Sequence, residues 1–272
     1  MDWSRIKTIF IIAFLVLDVF LMTQLSKKYE TNKLEELKDV SFEEKLKVDG
    51  IEYSQLPKEP AKDQYMSANT KNFKKEELAL LKNQDVKVLE GKRLESTLKE
   101  PYSIGSKFEE SDFANFVKSH VLFGDQYGFW EYDKDAGTIT YFQKYKDKLF
   151  FNNVTGRIIF HLNENHKVVS YEQTMLEKIE PISEKEEILS AMRTIEALHR
   201  KGNLKPDSKI KKAEPGYYTL VNMPESQVLT PTWHFIVERD KVKEHLLVNA
   251  IDGQVFQASS GDKNQSDSMI LE

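Results

Sequence analysis

The chain has 272 residues, enough for one large domain or two small ones. Apolar residues make up 40% of it and charged residues 31%, and the formal net charge of -5 without a long basic run argues against phosphate-driven nucleic-acid binding. Cysteine is absent, which excludes disulfides, thiolate metal sites, thiol nucleophiles and a lipid-modified cysteine anchor.

The first element in the chain is the apolar run from Thr8 to Leu25. About 18 helical residues at roughly 1.5 Å each span about 27 Å, close to the roughly 30 Å of a hydrocarbon core. Asp18 interrupts the run and costs roughly 2.5–3.5 kcal/mol near the centre of a membrane helix. About twelve Ile, Leu, Val and Phe residues offset it with roughly 0.3–0.6 kcal/mol each, so insertion is still favoured. A cleaved signal peptide needs small residues just after its core. Met22 to Lys28 contain no such site, so a retained transmembrane helix over 8–25 is expected. Arg5 and Lys7 place residues 1–7 in the cytoplasm, although Lys27 and Lys28 weaken the asymmetry. The large remainder is then extracytoplasmic, on a single-pass chain in the cell membrane. At spacings of three and four, Ile11, Phe14, Asp18, Leu21 and Leu25 share one helix face, and Asp18 can recover part of its cost from a donor on a neighbouring helix.

Residues 26–38 are charged, with Leu34 and Leu37 as the main apolar points, and read as a stalk. A first α+β unit is expected over 39–180. Val40–Tyr53 has mixed β character, Lys74–Asn83 is a short helix, and Asp85–Leu98 alternates as a strand. Ser111 is a plausible cap for a helix over Asp112–Leu122, whose Phe113, Phe116, Val117 and Val121 share a face. An antiparallel meander follows. Asp135-Ala136-Gly137 turns into Ile139 and Tyr141, Asn152–Gly156 into Ile158, Phe160 and Leu162, and Asn163–His166 into Val169, Tyr171, Gln173 and Met175.

A second α+β unit is expected over 181–260. Ser183 and Glu186 match a capping box, with Ile188, Met192, Ile195 and Leu198 at helical spacing and Gly202 as the left-handed end. Strands are expected at Lys209–Val221, Trp233–Arg239, Lys243–Asn249 and Gln254–Ala258, with Asp252-Gly253 turning between the last two. The tail, residues 261–272, is polar and expected to be disordered. The fold class is α+β: antiparallel-sheet modules with helices packed on one face.

Motifs that would carry catalysis fail one by one. None of the six histidines lies in H-x-x-x-H or H-E-x-x-H, and each is expected at the surface or on an edge strand. Asp133-x-Asp135-x-Gly137 lacks the later ligands of a calcium loop and fits a hairpin turn. Ser208-x-x-Lys211 has no companion motifs, and no nucleophile elbow, P-loop or dinucleotide fingerprint occurs. Glu109-Glu110 and Glu186-Glu187 sit at expected helix starts, where they complement the dipole. No catalytic, metal or cofactor site is read from these residues. Tyr217, Tyr218 and Trp233 can line a binding groove or pack in a core.

The opening Met1-Asp2-Trp3-Ser4-Arg5-Ile6-Lys7-Thr8-Ile9-Phe10 resembles the start of YycI proteins of low-GC Gram-positive bacteria. Gly156–Asn163 and Val168–Met175 look like that family's strand pair, and Pro231–Phe235 through Asn249–Val255 is similar to the last strands of PepSY-like modules. The resemblance implies a non-catalytic accessory regulator of the WalK (YycG) sensor histidine kinase, a two-component system governing cell-wall turnover, with a YycH-like companion as partner. It implies no cofactor and no catalytic residues. Two rivals stand beside it: an extracytoplasmic binding module for a wall fragment or peptide, and an anchored cell-wall hydrolase.

Overall fold

A computed structural model of the protein describes residues 3–35, 42–53, 56–57, 62–105, 107–222 and 226–256. They fall into two compact units, residues 1–51 and 52–272. In the first, helix α1 (Trp3–Glu35) runs unbroken through the expected span and most of the expected stalk. Its large apolar side chains from Phe10 to Met22 are all at least 48% exposed, on every side of the helix, and Asp18 lies exposed among them. Among the described residues no helix is long and apolar enough to cross a membrane. The unbroken run of described side chains there is Phe10–Gln24, flanked by Ile9 and Leu25, whose side chains lie outside the description.

Helix α2 (Phe42–Val48) replaces most of the β character expected for Val40–Tyr53, which holds only at Glu52–Tyr53 among the described residues. Glu43 and Glu44 in its first turn and Lys45 and Lys47 in its last match the helix dipole. Gly50, at φ +66°, lets the chain turn back so that Ile51 N–H donates to Leu46 O at 2.8 Å.

In the second unit β1 (Glu52–Tyr53), β2 (Lys62–Asp63) and β3 (Met66–Thr70) precede a single helical turn, α3 (Lys75–Leu78). Strands β4 (Gln84–Leu89) and β5 (Arg93–Ser103) lead to helix α4 (Glu110–His120). Then come β6 (Tyr127–Asp133), β7 (Thr138–Tyr145), β8 (Lys148–Phe151), β9 (Arg157–Leu162), β10 (Lys167–Gln173), β11 (Leu176–Pro181) and β12 (Glu186–Glu187). Helix α5 (Ala191–Arg200) precedes β13 (Lys209–Asn222), β14 (Ser226–Arg239), β15 (Val242–Asn249) and β16 (Val255–Phe256).

Fourteen of these strands form one hydrogen-bonded network, built as two sheets. The first, β6-β7-β9-β10-β5-β4, is antiparallel throughout. The second runs β11-β3-β14-β13, with β1 parallel to the start of β13, and with β15 and β16 continuing from the other half of β14. Strand β8 links them, antiparallel to β7 and parallel to β13. The fold class is α+β, as the pattern of elements predicts.

Helix α4 closes one face of the first sheet. Phe113, Phe116 and Val117 are buried with Leu94, Ile139, Tyr141, Ile158, Phe160 and Tyr171 in a single core. Phe113 meets Phe160 edge-on at 5.0 Å and 81°, the arrangement that ring quadrupoles favour. The second sheet has its own smaller core of Met66, Ala68, Phe150, Leu176, Tyr217 and Leu229. The second core draws on residues from either side of the expected 180/181 divide, whereas the first lies wholly before it, and from Glu52 onward the chain forms one compact unit.

Four local expectations change. Asp85–Leu98 is a hairpin, reversed at Glu90 (φ +50°) and Gly91 (φ +74°), with Leu89 opposite Arg93. Ser111 lies inside α4, whose cap position is Glu109. A bulge between Val168 and Ser170 shifts the phase of β10, so Val168 is buried where Val169 was expected. Ser183 and Glu186 start no helix: β12 pairs with β2, and α5 begins seven positions later than the motif implies, where Ser190 Oγ accepts from Arg193 N–H. The helix end is as expected, with Gly202 at φ +71° and Asn203 N–H donating to Leu198 O. The tail beyond Phe256 lies outside the described residues.

Candidate functional site

The proposed membrane face falls on α1, where Ile11, Phe14 and Leu21 are exposed. Leu25 continues the same helix, with its side chain outside the description. The three aromatic groove candidates pack instead. Tyr217 is buried, and its hydroxyl donates to Asp63 Oδ1 at 2.8 Å. Lys148 Nζ holds the other carboxylate oxygen at 2.6 Å. Burial first, then the bond and charge of Asp63, push the Tyr217 phenol well above its ordinary range. Trp233 is 2% exposed, and its indole N–H donates to Leu189 O at 2.8 Å. Tyr218 is half-buried and stacks on Phe256.

The sequence reading missed a polar chain where the two sheets meet. In the β13–β14 register Glu214 lies opposite His234. The β14–β15 hairpin turns at Asp240-Lys241 and sets Leu247 opposite His234, so His245 is its diagonal neighbour. Glu214 Oε1 lies 3.0 Å from His234 Nδ1, and His234 Nε2 lies 2.9 Å from His245 Nδ1. Lys212 Nζ pairs with the other Glu214 oxygen at 2.8 Å. Trp130, from β6 of the first sheet, covers both imidazoles at 4.6 and 4.5 Å between ring centres. Phe151 of β8 closes on His234 at 4.9 Å. His234 is 1% exposed, which corrects its expected surface position. His161 is half-exposed near the end of β9, an interior strand, and His166 is exposed at the turn that follows.

Tautomers follow from donor counting. An ionised Glu214 only accepts, so the proton of neutral His234 sits on Nδ1 and its Nε2 accepts from His245 Nδ1–H. Burial pushes the Glu214 carboxyl up, but the bonds from His234 and Lys212 and their charges outweigh it, and the net shift is downward. Burial lowers His234 despite Glu214. Burial, then the neighbouring His234, lowers His245 to about 4. The resting chain at neutral pH is therefore carboxylate, neutral imidazole, neutral imidazole. Among the described residues no hydroxyl is hydrogen-bonded to either ring, and the arrangement can hold or relay a proton.

Near the β14–β15 turn, Asn203, Lys205, Ser208, Arg239, Asp240 and Glu244 line a hollow of mixed charge, with Arg239 paired to Asp240 at 3.2 Å. None of the predicted residues reaches it.

No curated protein matches the chain. Among solved structures it is similar to the crystal structure of an uncharacterized protein from Eubacterium rectale, with a TM-score of 0.45 and 10% identity, covering 77% of this chain and 91% of that one. It is also similar to the Bacillus megaterium YpeB C-terminal domain, with a TM-score of 0.38 and 10% identity, over 71% of this chain and 88% of that one. A family model described as YycI protein matches residues 30–251, a stretch that holds every strand but β16 and all four helices α2 to α5. The chain belongs to the YycI family.

Proposed function

We propose that this YycI-family protein is a membrane-anchored, non-catalytic accessory regulator of a WalK (YycG)-type sensor histidine kinase, acting with a YycH-like companion. The observation that carries the reading is the family match over residues 30–251, since YycI proteins are accessory regulators in that kinase pathway. Anchoring rests on the sequence from Thr8 to Leu25 and on the exposure of its apolar side chains on all sides of one helix, a pattern whose favourable solvent is lipid. With the N-terminus in the cytoplasm, the 52–272 unit lies outside the cell. Helix α5 followed by β13 to β16 reads as a PepSY-like module there. Ile11, Phe14, Asp18, Leu21 and Leu25 form the face offered to partner helices, with Asp18 as its polar contact.

The binding-module alternative loses its proposed lining, because Tyr217 and Trp233 are buried. Capture of the full-length protein from membranes in mild detergent tests the regulator reading. The expected result is that a histidine kinase and a YycH-like protein co-purify with it. Recovery of neither, from cells expressing all three at native levels, overturns the reading.

A further inference from the structure

We propose that Glu214, His234 and His245, roofed by Trp130, form a proton-operated joint between the two sheets, which accepts one proton with its bonds intact and parts on the second. The inference is independent of the kinase-regulator reading. It rests on which elements supply the parts. Trp130 belongs to β6, at the edge of the first sheet, whereas both imidazoles belong to β14 and β15 of the second. The packing of Trp130 on the imidazole pair is therefore a contact between sheets.

The proton count follows from the geometry. His245 is partly exposed and His234 is not, so a proton from solvent adds at His245 Nε2. The bridging proton can then pass from His245 Nδ1 to His234 Nε2. His245 is neutral again, and His234 becomes an imidazolium paired with Glu214. One proton has entered, and every hydrogen bond in the chain survives with the bridge reversed. A second proton on His245 would set two N–H groups face to face at the 2.9 Å now occupied by a single shared proton. The rings must separate, and the surface beneath Trp130 goes with them.

The charged groups around the pair are few. Strand β13 supplies Glu214 and Lys212, and β15 supplies Lys243. From the first sheet and its link, the packed side chains are the uncharged Trp130, Phe142 and Phe151. Glu214 favours uptake, whereas burial and the two lysines oppose it. Because both histidines are lowered in the folded state, the folded chain binds fewer protons than the unfolded one in acid. The joint is fully stable above the ordinary histidine value of about 6.5 and weakens as pH falls from there toward about 4.

The test uses the full-length protein in detergent. Histidine C2 deuterium exchange, read by mass spectrometry against pH, reports each ring separately, with the same rings in the urea-unfolded protein as the reference. The expected midpoint for His245 lies at least one pH unit below its unfolded value, and His234 exchanges more slowly in the folded protein than in the unfolded one. Tryptophan fluorescence gives the second readout. Its change between pH 7 and pH 4 should be reduced at least twofold in Trp130→Phe and in His245→Asn, which keeps a donor near the Nδ1 position but cannot take up a proton. A His245 midpoint equal to its value in the unfolded protein overturns the proposal. So does a fluorescence change that His245→Asn leaves intact. If His245→Asn does not fold, the exchange midpoints of the wild-type protein decide alone.

Discussion

At the scale of single residues, Gln143 shows how a side chain can stand in for a strand. It is fully buried on β7, its Nε2 donates to Leu176 O at 2.8 Å, and its Oε1 accepts from Leu176 N–H at 2.7 Å. The amide thus meets both backbone groups of a β11 residue that has no other strand on that side in the pairing with β3. Gln143→Met keeps the volume and leaves both groups unpaired in the interior. Urea unfolding should show a loss of about 2–6 kcal/mol, from roughly 1–3 for each orphaned group. Asp18 poses the opposite case, a polar group whose partner would be another chain. Asp18→Leu should insert at least as well and keep protein levels, yet alter kinase-dependent transcription. Leu17→Asp combined with Asp18→Leu moves the carboxyl about 100° around the helix and should not restore it. Unchanged transcription and unchanged co-purification in Asp18→Leu would end the idea of a helix contact at that face.

At the scale of elements, two serines separate a motif from a cap. Ser190 Oγ accepts from Arg193 N–H at the start of α5, so Ser190→Ala should cost about 1 kcal/mol in thermal or urea unfolding. Ser183 satisfies the S-x-x-E pattern but accepts from Tyr65 N–H in a loop, so Ser183→Ala should change α5 content by nothing measurable in circular dichroism. Gly216 gives a sharper contrast, because a Cβ there would collide with the Phe151 ring and the Leu149 carbonyl. Gly216→Ala should therefore destabilise more than Gly202→Ala, where space is open and only the φ of +71° is strained. Such contrasts explain which elements were legible. Asp135-Ala136-Gly137 and Asp252-Gly253 advertise their turns through glycine at positive φ. Lys146-Asp147 and Asp240-Lys241 also sit at positive φ without a glycine, so those hairpins carry no such signal. The second of them sets the β14–β15 register, and without that register nothing brings His245 near His234. The aromatic core on α4 was legible because four apolar residues keep helical spacing. Helix α2 was not, since in so short a segment Phe42 and Leu46 are the only clear helical pair.

At the scale of the whole molecule, the proposed anchor and the unit from Glu52 onward can be tested apart. Full-length protein should stay with membranes through an alkaline carbonate wash and keep residues 1–25 by mass spectrometry of its N-terminus. A mature chain beginning near Ser26 would make the apolar run a removed leader and deprive Asp18 of its role. Within the body, the link between sheets is narrow in a way that ladder diagrams hide. Strand β8 spends Lys148 and Leu149 on β7, then Phe150 and Phe151 on β13, and no residue of it pairs with both. The backbone ladder therefore changes owner midway along four residues. Cooperativity has a natural fault line at that point: in native-state exchange, amides of β9 and β10 and amides of β14 and β15 should surrender protection as two separate groups, each opening while the other still holds.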